Sequence, residues 1–181
     1  MSPIKLRTLC VFAAALLFSS AHAGAQTSAA DFETPKAMES EHKELHADLE
    51  RLTMAGGRTG EAAKDVAALM EKHFANENAY ALPPLGILVP LSEGKFSCSM
   101  MGVLNMTDKL QAEMPTMLAE HKEIVGALQK LATAAKAESK PDGTRFAEML
   151  TAHAQNEEQV TYPTTLLIGL YVKGKAAQCS K

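Results

Sequence analysis

Apolar residues recur at alternating steps of three and four along most of the chain, and no segment alternates strictly between apolar and polar positions. This spacing predicts helices rather than strands, because it places the apolar side chains on one face of a helix. Four long helices are predicted, over residues 31–54, 59–83, about 107 to the turn at 139–143, and from that turn to about 171. Thr59 is the expected cap of the second helix. Pro115 predicts a kink or late start in the third, and Pro163 an interruption in the fourth.

The predicted helices form an internal repeat. Residues 41–45, read as Glu-His-Lys-Glu-Leu, return as Glu-His-Lys-Glu-Ile at 120–124, and the His-x-x-Asn-Glu of 73–77 returns at 153–157. The two offsets are 79 and 80 residues. The sequence therefore predicts an all-α fold, an up-down-up-down four-helix bundle built from two pseudo-symmetric helical hairpins.

The N-terminus has the pattern of a secretory signal peptide. Lys5 and Arg7 precede the apolar run of residues 9–18, and the small residues at 21–23 flank a cleavage point. This run is about half as long as a membrane span. We therefore predict a signal peptide over 1–23, a bundle domain over 31–175, an exported protein that is periplasmic or secreted, and no membrane association after cleavage.

Composition narrows the possible partners. The chain of 181 residues is 46% hydrophobic and 22% charged, which is typical of one globular domain. Its formal net charge is −3, it has no tryptophan, and only 5% of its residues are aromatic. An acidic chain with few stacking residues lacks the features that bind nucleic acids, so no nucleic-acid partner is expected.

Six ionisable side chains occupy positions where the helical stripes require hydrophobic residues. They are His42, His73, Glu77, His121, His153 and Glu157. Each His-x-x-x-Glu pair lies one turn apart on the same helix face, and unpartnered buried charges would cost several kcal/mol each. A bound cation removes that cost. Four histidines and two carboxylates suit two bridged metal ions, with iron favoured and zinc, manganese and copper as competitors.

With these motifs in this order, the sequence resembles the hemerythrin-like family, also described as HHE cation-binding domains. The resemblance covers nearly all of the chain after the signal peptide and implies a four-helix bundle with a non-haem centre of two iron ions. It implies that the four histidines are terminal ligands and that Glu77 and Glu157 bridge the ions. The oxygen carriers of that family have a fifth histidine, and its place here is taken by Val125. His46, four residues after His42, stands at the pseudo-symmetric place and is the candidate fifth ligand.

Together with the signal-peptide pattern, the resemblance implies an exported protein that binds a small diatomic ligand, dioxygen or nitric oxide, for carriage, sensing or stress protection. Two alternatives stay open: a di-iron redox enzyme that acts on nitric oxide or peroxide, and a metal storage or delivery module. No motif for a nucleophile or an electron-donating cofactor is present, so the sequence does not settle whether the protein is an enzyme.

Other residues carry simpler expectations. Phe74, Tyr80, Ile124 and Val160 are expected in the core. The acidic residues expected on a solvated face or at the surface are Glu41, Glu44, Glu120, Glu123 and Glu158. Cys98 and Cys179 follow their repeat histidines by 25 and 26 residues, so the segments that carry them should be neighbours, and we predict that they form a disulfide.

Overall fold

The computed structural model describes residues 32–180, which are helical and contain no strand. The four longest helices are α1 (Lys36–Thr53), α2 (Gly57–Asn76), α4 (Leu104–Ala137) and α5 (Pro141–Asn156). They form a four-helix bundle: α2 packs against α1 and α4, and α5 packs against α4 and α1. An all-helical bundle is thus confirmed.

Shorter helical segments continue α2 and α5. The π-helical turns Glu77–Ala81 and Glu157–Thr161 follow α2 and α5 directly, and α6 (Tyr162–Gly174) extends the second of them. Between α2 and α4 lie the short helix α3 (Leu88–Ser92) and 3₁₀ segments at Pro83–Ile87 and Cys98–Val103; Ala176–Gln178 is a further 3₁₀ turn. A π-helical turn holds more residues than an α-helical one and rotates the following side chains. Val160, expected in the core, lies in such a turn and is 55% exposed.

Proline affects the helices less than the sequence indicates. Helix α4 begins at Leu104 and continues through Pro115, so the late start predicted there is wrong. Pro115 is exposed, as is Gln111, whose carbonyl group has no N–H partner at Pro115. Pro163 is the second residue of α6, and this helix continues directly from the π-helical turn Glu157–Thr161. Pro163 therefore lies at the start of an α-helix, and no non-helical residue separates this helix from the preceding helical turn.

Helix α2 is capped from a distance. Its N-cap residue is Gly56, which has no side chain to accept hydrogen bonds from the free N–H groups at the start of the helix. Glu138, at the end of α4, accepts hydrogen bonds from the N–H groups of Arg58 and Thr59 and from the Thr59 hydroxyl, and Lys140 donates a fourth. The predicted capping role of Thr59 is therefore wrong: Thr59 is a donor, and the acceptor lies 79 residues away. We refer to Arg58, Thr59, Glu138 and Lys140 as the Glu138 cluster.

Two apolar clusters form the core of the bundle. The first includes Leu45, Leu49, Met70, Phe74, Ile124, Leu128, Phe146 and Leu150. The second includes Tyr80, Leu82, Leu85, Leu110, Met117, Tyr162 and Val172. Along α2 and its π-helical turn, His73 and Glu77 lie between a residue of the first cluster and a residue of the second. In α4, His121 also lies between a residue of one cluster and a residue of the other. A layer of ionisable residues therefore separates the two apolar clusters.

A disulfide joins Cys98 to Cys179, with 5.5 Å between the Cα atoms. It links the 3₁₀ segment before α4 to the end of the described chain. The predicted signal peptide of residues 1–23 lies outside the described residues. Over residues 32–180, none of the helices combines the length and the apolar character required to span a bilayer.

Candidate metal centre

All six of the ionisable residues singled out by the sequence are buried. Their exposed fractions are 5% for His42, 1% for His73, 0% for Glu77, 2% for His121, 7% for His153 and 1% for Glu157. Each of the four long helices contributes one histidine, and each glutamate is the first residue of a π-helical turn. We call these six residues the polar layer.

The polar layer divides into two groups that share one carboxylate. One group is His73, Glu77, His121 and Glu157, and the other is His42, His153 and Glu157. Within each group, one potential ligand atom from each residue lies within 4.8 Å of the others. Glu157 contributes to both groups, because its Oε1 lies 2.9 Å from His153 Nε2 while its Oε2 lies 3.4 Å from His121 Nε2. Each group could hold a metal ion, and Glu157 belongs to both groups.

Glu77 also faces both groups. Its Oε1 lies 3.6 Å from His73 Nε2, and its Oε2 lies 3.8 Å from His42 Nε2. The four histidines turn their Nε2 atoms toward the two carboxylates, and the Nε2 atoms of His73 and His121 approach to 2.9 Å. Lone pairs and negative charge converge here from four helices, as a metal site requires.

The outward Nδ1 atoms of three histidines contact carboxylates outside the layer. The pairs are His73 with Glu120 at 3.1 Å, His121 with Glu158 at 2.9 Å, and His153 with Glu41 at 3.0 Å. Glu41, Glu44, Glu123 and Glu158 are exposed as predicted, although Glu41 and Glu158 also contact a layer histidine; Glu120 is not on a solvated face, since its side chain is only 15% exposed. A carboxylate on Nδ1 fixes the tautomer and leaves Nε2 free to ligate, as in many metal sites.

Tyr162 also belongs to this site. Its side chain is fully buried, its hydroxyl donates to Glu77 Oε1 at 2.7 Å, and its ring stacks on that of His121. Burial and the adjacent carboxylate of Glu77 raise the pKa of the Tyr162 phenol, so it stays a donor at neutral pH. On the other side of the layer, the Phe74 ring lies 4.5 Å from that of His42 and adds an apolar wall.

The two carboxylates of the layer ionise differently. Burial raises the pKa of Glu77 well above its usual range, and the charge of Glu157 adds to this effect. Burial also opposes ionisation of Glu157, but close contacts with the rings of His121, His153 and His42 outweigh it and hold the pKa of Glu157 well below its usual range. Burial lowers the pKa of His73; for His153, contacts with Glu157 and Glu41 outweigh burial and raise the pKa. Negative charge therefore concentrates on Glu157, the carboxylate shared by both groups.

Several polar atoms of the layer lack a hydrogen-bond partner among the described residues. They are both ring nitrogens of His42, Glu77 Oε2, His153 Nε2 and Glu157 Oε1; the last two atoms lie 2.9 Å apart but outside hydrogen-bond geometry. Most buried polar atoms in folded proteins are paired, so this many exceptions at one place require an explanation. A cation accepts lone pairs from imidazole and carboxylate together, and the donor set of this layer fits one.

His46 does not join the layer. Its side chain is exposed and its ring packs against Phe74 at 4.6 Å, while neither metal-compatible group contains it. The described geometry therefore gives a layer of four histidines and two carboxylates. The candidate fifth histidine lies on the outer side of Phe74.

The sequence missed the acids beyond the layer and Tyr162. Glu41 and Glu120 had a detectable signal, because each precedes a layer histidine at the same repeat position. Glu158 and Tyr162 had none, because their repeat positions are occupied by Asn78 and Leu82. Their contacts cross between helices, and periodicity along one helix does not report such contacts.

Comparisons of the chain with protein-family models, with curated proteins and with solved structures found no match.

Proposed function

We propose that this chain is an exported protein of the hemerythrin-like family that holds two non-haem iron ions and binds a small diatomic ligand, dioxygen or nitric oxide. The observation that carries this proposal is the polar layer itself: four histidines and two glutamates, all buried, with the Nε2 atoms of the histidines turned toward the two carboxylates. Carriage, sensing and stress protection all require such a centre.

In this proposal each residue of the layer has a distinct task. His73 and His121 hold one ion, His42 and His153 hold the other, and Glu77 and Glu157 bridge them. Tyr162 orients Glu77 through its hydrogen bond. When bound, the metal pair supplies redox-active Lewis acids that take up the diatomic ligand. The apolar clusters on both sides of the layer, including Phe74 and Ile124, exclude water from that ligand.

The arrangement of helices and the disulfide are consistent with the same proposal. We propose that the bundle runs up-down-up-down and that its two hairpins are related by a pseudo-two-fold axis through the layer. The matched π-helical turns at Glu77 and Glu157 and the sequence repeat support this symmetry. The Cys98–Cys179 disulfide supports an oxidising compartment, as the signal-peptide pattern predicts for an exported, periplasmic or secreted protein.

Iron loading tests the proposal. Purified mature chain is loaded with ferrous iron without oxygen, and air or nitric oxide is then admitted. A visible charge-transfer band that appears with the ligand and disappears on its removal supports a carrier or sensor. Irreversible conversion to a ferric product favours the enzyme or the storage module instead. Retention of one metal per chain, or of zinc in preference to iron in cells, contradicts the di-iron centre.

A further inference from the structure

We propose that the two metal positions are unequal, and that Asn78 is the residue that makes them so. The position formed by His73, His121 and the two glutamates binds its ion first and tightly, whereas the position at His42 and His153 binds second and exchanges its ion. This inference rests on the proposed two-metal centre and concerns how that centre fills.

His42 differs from the other histidines of the layer in its outer nitrogen. The Nδ1 atoms of His73, His121 and His153 each contact a carboxylate within 3.1 Å. The Nδ1 atom of His42 is buried and has no hydrogen-bond partner among the described residues. Its ring packs against Phe74 and the ring of His153, and its Nε2 atom lies 3.8 and 3.6 Å from carboxylate oxygens of Glu77 and Glu157.

The repeat identifies the partner that His42 lacks. His42 and His121 are repeat equivalents, and the partner of His121 is Glu158. Glu158 is the second residue of its π-helical turn, directly after Glu157. The equivalent residue, second in the other π-helical turn and directly after Glu77, is Asn78. A neutral amide therefore stands where the other half of the chain has a carboxylate, and its side chain is exposed.

The remaining contacts favour tight metal binding at the position formed by His73 and His121. His73 and His121 both have a carboxylate on Nδ1, and Lys72 Nζ holds Glu120 in place at 2.9 Å. Tyr162 donates to Glu77 Oε1, the oxygen that faces His73. At the second position only His153 has such support. Loss of one outer partner typically lowers metal affinity 10- to 100-fold, so the two affinities should differ by about that factor.

Stepwise metal titration tests the inference. The metal-free mature protein is titrated with ferrous iron in the absence of oxygen. Binding is followed by calorimetry and by native mass spectrometry. We expect two binding steps separated by about 10- to 100-fold in affinity. Asn78→Glu should raise the affinity of the second step about tenfold and leave the first step unchanged.

The matched control is Ala79→Glu, which adds the same charge at the next exposed residue and should leave the second step unchanged. Glu158→Asn is the reciprocal variant and should weaken the first step, so that the two affinities converge. Circular dichroism verifies that each variant is folded. Two steps of equal affinity in the unaltered protein, or equal effects of Asn78→Glu and Ala79→Glu, would overturn the inference and leave the two-metal centre standing. A protein that binds no iron overturns both.

Discussion

The Glu138 cluster and the polar layer both bring carboxylates together with donors from distant parts of the chain. Glu138 accepts hydrogen bonds from two backbone N–H groups, a hydroxyl and an ammonium group, and the Lys140 ammonium also donates to two backbone carbonyls. The polar layer holds six ionisable groups at greater depth, and five of their atoms have no hydrogen-bond partner among the described residues. The Glu138 cluster is satisfied by residues of the chain, whereas the residues of the polar layer could hold a metal ion.

This contrast separates a network that caps a helix from one whose residues could hold a metal ion. The Glu138 cluster replaces the missing side-chain cap of Gly56 and ties the end of α4 to the start of α2. Gly57 makes room for it: its φ is +63°, and a Cβ atom there would lie 2.6 Å from Glu138 Oε1. Among residues 32–180, no hydrogen bond satisfies the five unpaired atoms of the polar layer. Removal of a charge from the Glu138 cluster should therefore lower the stability of the fold, and removal of a charge from the polar layer should weaken metal binding.

The largest effect is expected from Glu157→Ala. Glu157 contacts three histidines and is shared by both metal-compatible groups, so its loss leaves neither group complete. We expect iron content to fall from two per chain to one or none, with loss of the paired-iron spectrum. Glu123→Ala, which removes an exposed carboxylate two residues from His121, is the control and should keep both. Retention of two irons per chain by the Glu157→Ala variant would refute the proposal that both metal positions share Glu157.

Glu138→Gln should lower the stability of the fold and leave the iron content unchanged, in contrast to Glu157→Ala. Hydrogen bonds from Thr59, Lys140 and Arg58 lower the pKa of Glu138 from 4.5 to about 2. Because the folded-state pKa is the lower one, the stabilisation is present above about pH 4.5 and is lost as the pH falls toward about 2. Melting temperatures of metal-free protein should therefore differ between wild type and variant at neutral pH and converge in acid. A constant difference across this range would argue against an ionic role.

Tyr162→Phe tests whether the buried phenol belongs to the layer. The substitution keeps the ring beside His121 and removes the hydroxyl that donates to Glu77. We expect two irons to bind about tenfold more weakly, with a shifted visible band. Tyr80→Phe is the matched control, because its hydroxyl donates to the Met117 sulfur instead. Identical spectra for wild type and Tyr162→Phe would assign the tyrosine to packing.

The smallest effect is expected from His46→Ala. His46 is exposed and contacts the outer side of Phe74, so iron content and spectrum should match those of wild type. A changed visible spectrum would show that His46 ligates after all and would restore the five-histidine set implied by the resemblance.

Much of the fold and the centre could be predicted from sequence, because both depend on periodicity along single helices. The histidine and glutamate positions interrupt apolar stripes, and burial of all six follows from those stripes. The cap that Glu138 provides to α2 could not be predicted, since its partners lie about 80 residues away. The exposure of Val160 was missed because a π-helical turn changes the register without a sequence signal. Contacts between helices, such as that of Glu41 with His153, need the packed structure.

The most direct test of the central claim is iron content and thermal stability measured together on the same preparation. The two-metal layer predicts two irons per chain that survive dialysis, and a melting temperature above that of the metal-free protein. At an iron concentration of 100 to 1,000 times Kd, binding to the native state alone stabilises by ~3–4 kcal/mol. Equal melting temperatures for metal-free and iron-loaded protein, or fewer than two irons per chain, would contradict the account.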